Sequence, residues 1–469
     1  MKTIADPDRA LGDGLTAIRA EFSVPKGFPA GVIEAATRAV ARRPSEHVDR
    51  TAIPFVTLDP ASSTDLDQAF WIESTGSDLV LRYAIADIAW FVEEGDAVDV
   101  EAWKRGETIY LPDGKAGLYP PILSEAAASL LPGGPRPATI FVVRVGADGH
   151  ARLDGAERAL IESRAKLAYD HVRDDQLPAG FAELARRIEI AGAARGAIRL
   201  DPPEQEVTRR ADGSFELSFR GRSRYEDRNA ALSLATNLAI AETLQVHRTG
   251  LFRVMARPDA EAVDRLRLTA RALGLEWPPE MTIEQFERGL DPAIAHHPQM
   301  MIAIRKAGRG ASYAPWQDGT PAWHAAVAAP YAHATAPLRR LADRYVVDAA
   351  RAIANGRAVP TSAANAFDRL PAVMARADAA AGRIERAVVD LAEAILLKGR
   401  VGQSFSAVTT EIDDRGARIQ LCDLPVVARV KGSTLGEGAA IAVRLVSVDM
   451  GSRTALFEPA NDAAAGPRS

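Results

Sequence analysis

Three carboxylates crowd one short stretch, Asp59-Pro-Ala-Ser-Ser-Thr-Asp65-Leu-Asp67-Gln68, directly after the apolar run 55–58. Hard divalent cations such as magnesium take oxygen ligands and keep several waters, so one ion needs only one or two carboxylates plus a substrate phosphate. Three acids on one loop could hold one ion firmly, or two ions sharing a bridging oxygen. Such ions activate water and stabilise the leaving oxygen of a phosphodiester. Asp65 and Asp67 flank Leu66, so an extended backbone points both to one side. Asp, Ser and Pro are also common loop formers, and the spacing by itself fits a plain polar turn as well.

The elements that must carry this loop can be read from hydrophobic periodicity. The run 55–58 predicts a strand that ends at Asp59-Pro60. Further strands are expected at 69–72, 79–86 and 139–145, the last after a Pro- and Gly-rich loop over 131–137. Helical patterns run over 96–105, over 160–195 with a break near Pro178, and over 229–247, 338–355 and 380–398. In the last of these, Val388, Leu391, Ala392, Ile395 and Leu396 form one apolar stripe that Gly399 closes. Residues 201–225 read as an irregular hairpin turning at Ala211-Asp212-Gly213. Beyond Gly399 come five short alternating runs, 404–411, 417–421, 426–430, 440–448 and 454–457, the pattern of a small closed barrel of the OB type. The expected division is a short helical entry over 1–50, a mixed α/β body over 51–398, an all-β barrel over 399–460 and a polar tail over 461–469 that frays.

Composition narrows the class. The 469 residues hold ample apolar material for a core without disulfides or structural metal. The only cysteine is Cys422, which excludes a disulfide framework and a cysteine zinc cluster and points to a reducing compartment. No run approaches the roughly eighteen apolar residues of a membrane span, and no secretory signal opens the chain. A cytoplasmic protein with no membrane association and no dinucleotide cofactor is expected. The net charge of −5 argues mildly against a nucleic-acid partner, but phosphate affinity depends on local patches.

The segment Phe55-Val-Thr-Leu-Asp59-Pro-Ala-Ser-Ser-Thr-Asp65-Leu-Asp67-Gln68-Ala69 resembles the metal-binding motif of the RNB family, the catalytic domain of ribonuclease II and ribonuclease R. Three more blocks follow in the family's order. The first is Tyr83-Ala-Ile-Ala-Asp87 with Arg105-Gly106 and Tyr110-Leu-Pro; the second is Glu162-Ser-Arg-Ala-Lys166-Leu-Ala-Tyr169-Asp170. The third is Tyr331-Ala-His333-Ala-Thr335-Ala-Pro337-Leu-Arg339-Arg340 with Asp343. The resemblance implies a mixed α/β RNB domain followed by an OB-type RNA-binding barrel. It also implies processive 3′→5′ hydrolysis of single-stranded RNA to nucleoside 5′-monophosphates, by water activated on magnesium or, in its place, manganese.

By position, the resemblance assigns Asp59, Asp65, Asp67 and Gln68 to the metal site, with Asp67 most directly tied to cleavage. Gln68 stands where the family motif usually has a fourth acid, so one negative charge is lost there. Tyr110 and Tyr169 match tyrosines that contact RNA, and an aromatic face stacked on a base is worth about 1–3 kcal/mol whatever the sequence. Arg339 matches the arginine that offsets charge on the scissile phosphate. Pro337 is expected to open a helix at its first position, which would aim free N–H groups at that phosphate. His333 and Arg340 lie in the same block and are assigned to RNA contact, although Arg340 beside Asp343 equally fits a salt-bridged pair. Arg305, Lys306 and Arg309 form a basic cluster that would touch the RNA backbone. Ribonuclease II carries two cold-shock barrels ahead of its catalytic domain, and the sequence leaves no room for them, so a short form is expected. Two other readings stay open: an RNB-fold RNA-binding protein that has lost catalysis, which Gln68 favours, and a metal-dependent phosphohydrolase of small nucleotides.

Overall fold

The computed structural model describes residues 2–4, 10–197, 204–210, 213–291, 294, 296–308, 310–413, 416–430 and 440–460. A seven-stranded mixed sheet carries the acidic loop. Its strands run in the spatial order Ala165–Ala168, Val56–Asp59, Gln68–Thr75, Asp78–Ala86, Arg136–Val145, Ala151–Ile161 and Val48–Asp49. The second and third central strands form a tight hairpin in which Thr75 faces Asp78 across Gly76, whose φ of 62° favours a residue without a side chain. Leu81, Tyr83 and Ile85 are fully buried along with Ala84, because elements cover both faces of this strand.

The α-helix expected from 160 onward begins only at Phe181. Ala151–Ile161 and Ala165–Ala168 are strands instead. The short second strand pairs in parallel with Val56–Asp59, Ala168 beside Asp59, and that pairing satisfies backbone groups a local propensity cannot. The consequence is functional, since Tyr169 lands next to Asp59 and donates its N–H to the Asp59 carbonyl at 3.3 Å.

Three helices back the sheet and the site. Arg224–Val246 starts at a capping box between Ser223 and Glu226. Leu341–Ala354 follows the arginine block, and Thr361–Leu397 is one continuous helix that passes through Pro371, longer than the 380–398 expected. Pro337 does not open a helix. It lies in a turn closed by the Arg340 N–H on the Ala336 carbonyl at 2.9 Å, and the helix begins four residues later. The 201–225 hairpin is present as Glu204–Arg209 paired with Phe215–Arg220, joined at one edge by Lys2–Ile4; its expected turn residues Ala211 and Asp212 lie outside the described residues.

The C-terminal barrel closes from Ser404–Asp413, Gly416–Leu421, Val427–Val430, Thr454–Pro459 and Ala440–Asp449, in that spatial order. Val430, Val443, Leu445 and Phe457 fill it, and Phe405 meets Phe457 edge-on, so both barrel phenylalanines serve packing. The tail 461–469 lies outside the described residues. Among the described residues no helix is long and apolar enough to cross a membrane.

Glu393 ties the long helix to the barrel: its carboxylate accepts from the Val427 N–H at 2.7 Å and from the Gln205 amide. Burial pushes its carboxyl up to about 7. The folded state therefore holds a proton that the unfolded state releases near pH 4.5, so stability is lost as pH rises from there through about 7. Glu393→Gln keeps the acceptor and removes the charge. The variant is expected to melt above the wild type at pH 8.5, by on the order of 2 kcal/mol, and level with it at pH 5. Equal pH dependence in thermal melts of the two proteins would refute this.

Candidate active site

The acids sit where two strands of the sheet end. Val56 faces Phe70 in the antiparallel pair, so Asp59 closes one strand close to where Asp67 leads into the other. Leu66, between Asp65 and Asp67, is fully buried; its N–H donates to Ser129 Oγ at 2.9 Å and its carbonyl accepts from Leu130 at 3.0 Å. This apolar anchor fixes the backbone from which Asp65 and Asp67 extend on the other side.

Each acid then finds its own partners. Asp67 is only 6% exposed. Its Oδ1 accepts the Leu338 N–H at 2.7 Å, and its Oδ2 lies 3.5 Å from Arg339 Nε. Burial pushes its carboxyl up to about 8, against the pull of Arg339 and the Leu338 N–H. Burial likewise pushes Asp59 up to about 6; Arg339 and Lys166 oppose this, and the neighbouring Asp65 adds to it. Asp65 is drawn to a hairpin formed by Ile109–Leu111 and Gly114–Ala116. Its Oδ1 lies 2.8 Å from Lys115 Nζ, and its Oδ2 accepts the Tyr110 hydroxyl at 2.9 Å. Gln68 turns its amide toward the hydroxyls of Tyr83 and Ser233, which lie 2.7 Å from each other.

With the side chains so placed, no group of three His, Cys, Asp or Glu among the described residues converges as a metal cage. The donor chemistry nevertheless fits a hard divalent ion. Asp67 is a buried carboxylate and Asp59 a half-buried one, their raised pKa values mark a deficit of positive charge, and all donors are oxygens. Lys166 and Arg339 offset only part of that deficit.

The arginine block closes the site from the other side, and the two arginines part company. Arg339 keeps 42% of its side chain exposed beside Asp67, whereas Arg340 turns inward, 17% exposed, onto a fully buried Asp343. Arg340 Nε and Nη2 lie 3.0 and 2.7 Å from the two Asp343 oxygens, a bidentate pair. This pairing fits the salt-bridged alternative for Arg340. The same Asp343 carboxylate accepts the Ala336 N–H at 2.8 Å. So Asp343 and Asp67 capture the N–H groups around Pro337 that a helix start would have offered to phosphate. Thr108 donates to the Arg339 carbonyl at 3.0 Å and Leu341 to the Gly106 carbonyl at 3.0 Å, which fastens the block to the segment leading to Tyr110.

His333 packs behind this block. Its Nδ1 lies 2.9 Å from the Tyr313 hydroxyl, and its ring meets Tyr313 and Tyr331 edge-on. Burial, then Arg340 and Arg253, hold its pKa well below the ordinary range, so the ring is neutral. Tyr110 is 53% exposed and offers an open ring face next to the acids. Tyr169 is half-buried, and its hydroxyl accepts from Asn229 at 2.8 Å. Arg305 and Lys306 belong to the helix His297–Ala307, but their side chains, like all of Arg309, lie outside the described residues.

Sequence reasoning missed one feature, a polar ladder on the helix Arg224–Val246. Asn229 donates to the Leu58 carbonyl at 3.1 Å as well as to Tyr169. Ser233 donates to the Gln68 amide oxygen at 3.0 Å. Asn237 accepts the Ala334 N–H at 3.0 Å and donates to the Tyr331 hydroxyl at 3.2 Å. Residues four apart share a helix face, so one face holds three segments of the site in register. The signal was legible as Asn, Ser and Asn at i, i+4 and i+8 in a helix otherwise rich in Leu and Ala.

Known proteins align with this arrangement. The RNB domain matches residues 47–353, and the RNase II-type exonuclease C-terminal S1 domain matches residues 403–460. The chain is 27% identical to ribonuclease R of Aquifex aeolicus (strain VF5) over 92% of its own length and 65% of that protein. It is 27% identical to ribonuclease R of Escherichia coli (strain K12) over 83% of its length and 51% of that protein. It thus spans 51–65% of the length of these two relatives. The structure of Mycoplasma genitalium RNase R in complex with ribose methylated single-stranded RNA shares the fold with a TM-score of 0.84 at 19% identity, over 98% of this chain and 79% of that one. The yeast pseudonuclease Ssd1 shares it with a TM-score of 0.67 at 16% identity, over 95% of this chain and 59% of that one. The expected mixed α/β domain and OB-type barrel are thus both present. Four motif blocks meet at one strand end, and the matched domain covers more than half of the sequence, so this chain belongs to the RNB family.

Proposed function

We propose that the protein is a 3′→5′ exoribonuclease that hydrolyses single-stranded RNA processively to nucleoside 5′-monophosphates in the cytoplasm, with magnesium or manganese. The observation that carries this reading is the meeting of half-buried Asp59 and buried Asp67 with a half-exposed Arg339, 3.5 Å from Asp67. Asp59, Asp65 and Asp67 would hold the cation, Asp65 by exchanging Lys115 for it. A bound divalent cation supplies Lewis-acid polarisation of the phosphodiester and a lowered pKa for water. Arg339 offsets the charge that builds on the phosphoryl oxygens. Tyr110 presents its ring to a base near the 3′ end, and Tyr169, held by Asn229, supports the strand from the Asp59 side.

The test is direct. A 5′-labelled single-stranded RNA incubated with pure protein and magnesium is expected to yield a ladder of shortened products. EDTA is expected to abolish the ladder while RNA binding persists. A second reading, an RNB-fold RNA-binding protein without catalysis, is favoured by Gln68 in place of an acid and by the fold shared with a pseudonuclease. RNA that is bound but stays at full length with either metal would establish it.

A further inference from the structure

The hairpin Ile109–Leu111 and Gly114–Ala116 already places a cation on one of the three acids. Tyr110 faces Lys115 across its two strands, and both reach Asp65, the hydroxyl on Oδ2 and the ammonium on Oδ1. Lys115 Nζ lies 2.8 Å from Asp65 Oδ1 and 3.3 Å from Glu125 Oε1, and it donates to Thr64 Oγ1 at 3.4 Å. Thr64 in turn donates to Glu125 Oε2 at 2.9 Å, which keeps that second carboxylate beside the loop. The Asp65 side chain is 9% exposed and that of Lys115 21%, so water and salt screen this pair less than an open surface one.

The backbone that carries Lys115 is fixed. Leu111 and Ala116 are buried in a core shared with Leu15, Ile18 and Leu391, and Arg19 lies 2.7 Å from Asp113 at the hairpin turn. The four-carbon stem above that backbone is flexible, so the ammonium can leave Asp65 without moving the hairpin. With Gln68 uncharged, the loop holds three carboxylates, and Lys115 neutralises one of them.

We propose that Lys115 is an internal competitor of the divalent cation: it must give up Asp65 before that carboxylate can serve as a ligand, and it thereby sets the cation concentration at which the site fills. The proposal rests on the reading of this site as a cation site. A divalent ion on Oδ1 and an ammonium 2.8 Å from the same oxygen repel each other, so the two hold Asp65 in turn. By linkage, the free energy that Lys115 gains at Asp65 and Glu125 is subtracted from cation binding.

Two measurements that need no turnover test this. The first uses the wild-type protein: its lysines are reductively methylated in EDTA and in excess magnesium, and Lys115 is followed by peptide mass spectrometry against Lys104, whose side chain is 68% exposed. Relative to Lys104, Lys115 is expected to be labelled about threefold faster or more once magnesium has taken its place at Asp65. The second follows free manganese by electron paramagnetic resonance without RNA, with thermal melting to confirm that the variant is folded. Lys115→Met keeps the length of the side chain and removes the charge, and it is expected to bind manganese about tenfold more tightly than the wild type. Lys115 labelled at one rate in both conditions, or a manganese affinity of Lys115→Met equal to or below that of the wild type, would overturn the proposal. RNA left uncut by a wild-type protein that behaves as expected in both measurements fails the nuclease reading alone.

Discussion

Asp67→Asn is expected to bind single-stranded RNA with near wild-type affinity and to shorten it about 100- to 1,000-fold more slowly, or not at all. The asparagine oxygen can still accept the Leu338 N–H that Asp67 Oδ1 accepts at 2.7 Å, so the arginine turn should stay in place. What disappears is the charge. In the cation-free protein that charge is a liability, because burial pushes Asp67 up to about 8. A raised carboxyl pKa means that stability falls as pH rises from about 4 through 8, and the substitution removes that loss. Cation-free Asp67→Asn should therefore melt above the wild type at pH 8.5 while having lost turnover and manganese affinity together. Near-normal product ladders from the variant would sink the assignment, whatever its melting temperature.

The adjacent arginines are expected to fail in opposite ways. Arg339→Ala should keep its fold, with stability within about 1 kcal/mol because the side chain is a surface one, and should lose about 100- to 1,000-fold in rate. Arg340→Ala leaves Asp343, fully buried and accepting the Ala336 N–H, without its bidentate partner. Removing one member of a buried pair costs about 3–5 kcal/mol. The expected readouts are a large fall in denaturation midpoint for Arg340→Ala and a rate defect at normal midpoint for Arg339→Ala. An Arg340→Ala protein of normal stability that binds RNA weakly would restore Arg340 to the RNA surface.

Much of the site was legible because its parts are local. The order of the four blocks, the strand before Asp59, the tyrosines and the arginine turn are all short segments whose residue types state their chemistry. The barrel was legible for the same reason, since five alternating runs with turn residues between them fit few other folds. The strand Ala165–Ala168 was not, because four residues carry too little pattern and are held extended only by pairing with Val56–Asp59. Nor was the inward turn of Arg340, which depends on the buried Asp343 and the aromatic wall of Tyr313 and Tyr331.

By itself the sequence determined the family, the two folded parts and the set of acids, because covalent order and periodicity carry that information. Only the tertiary structure decided how those groups are used. It sets which arginine meets Asp67, ties Asp65 to Lys115, turns the Gln68 amide toward Tyr83 and Ser233, and brings one face of the helix Arg224–Val246 against three segments. Side-chain direction and burial are set by partners far along the chain, and no local pattern of residues encodes them.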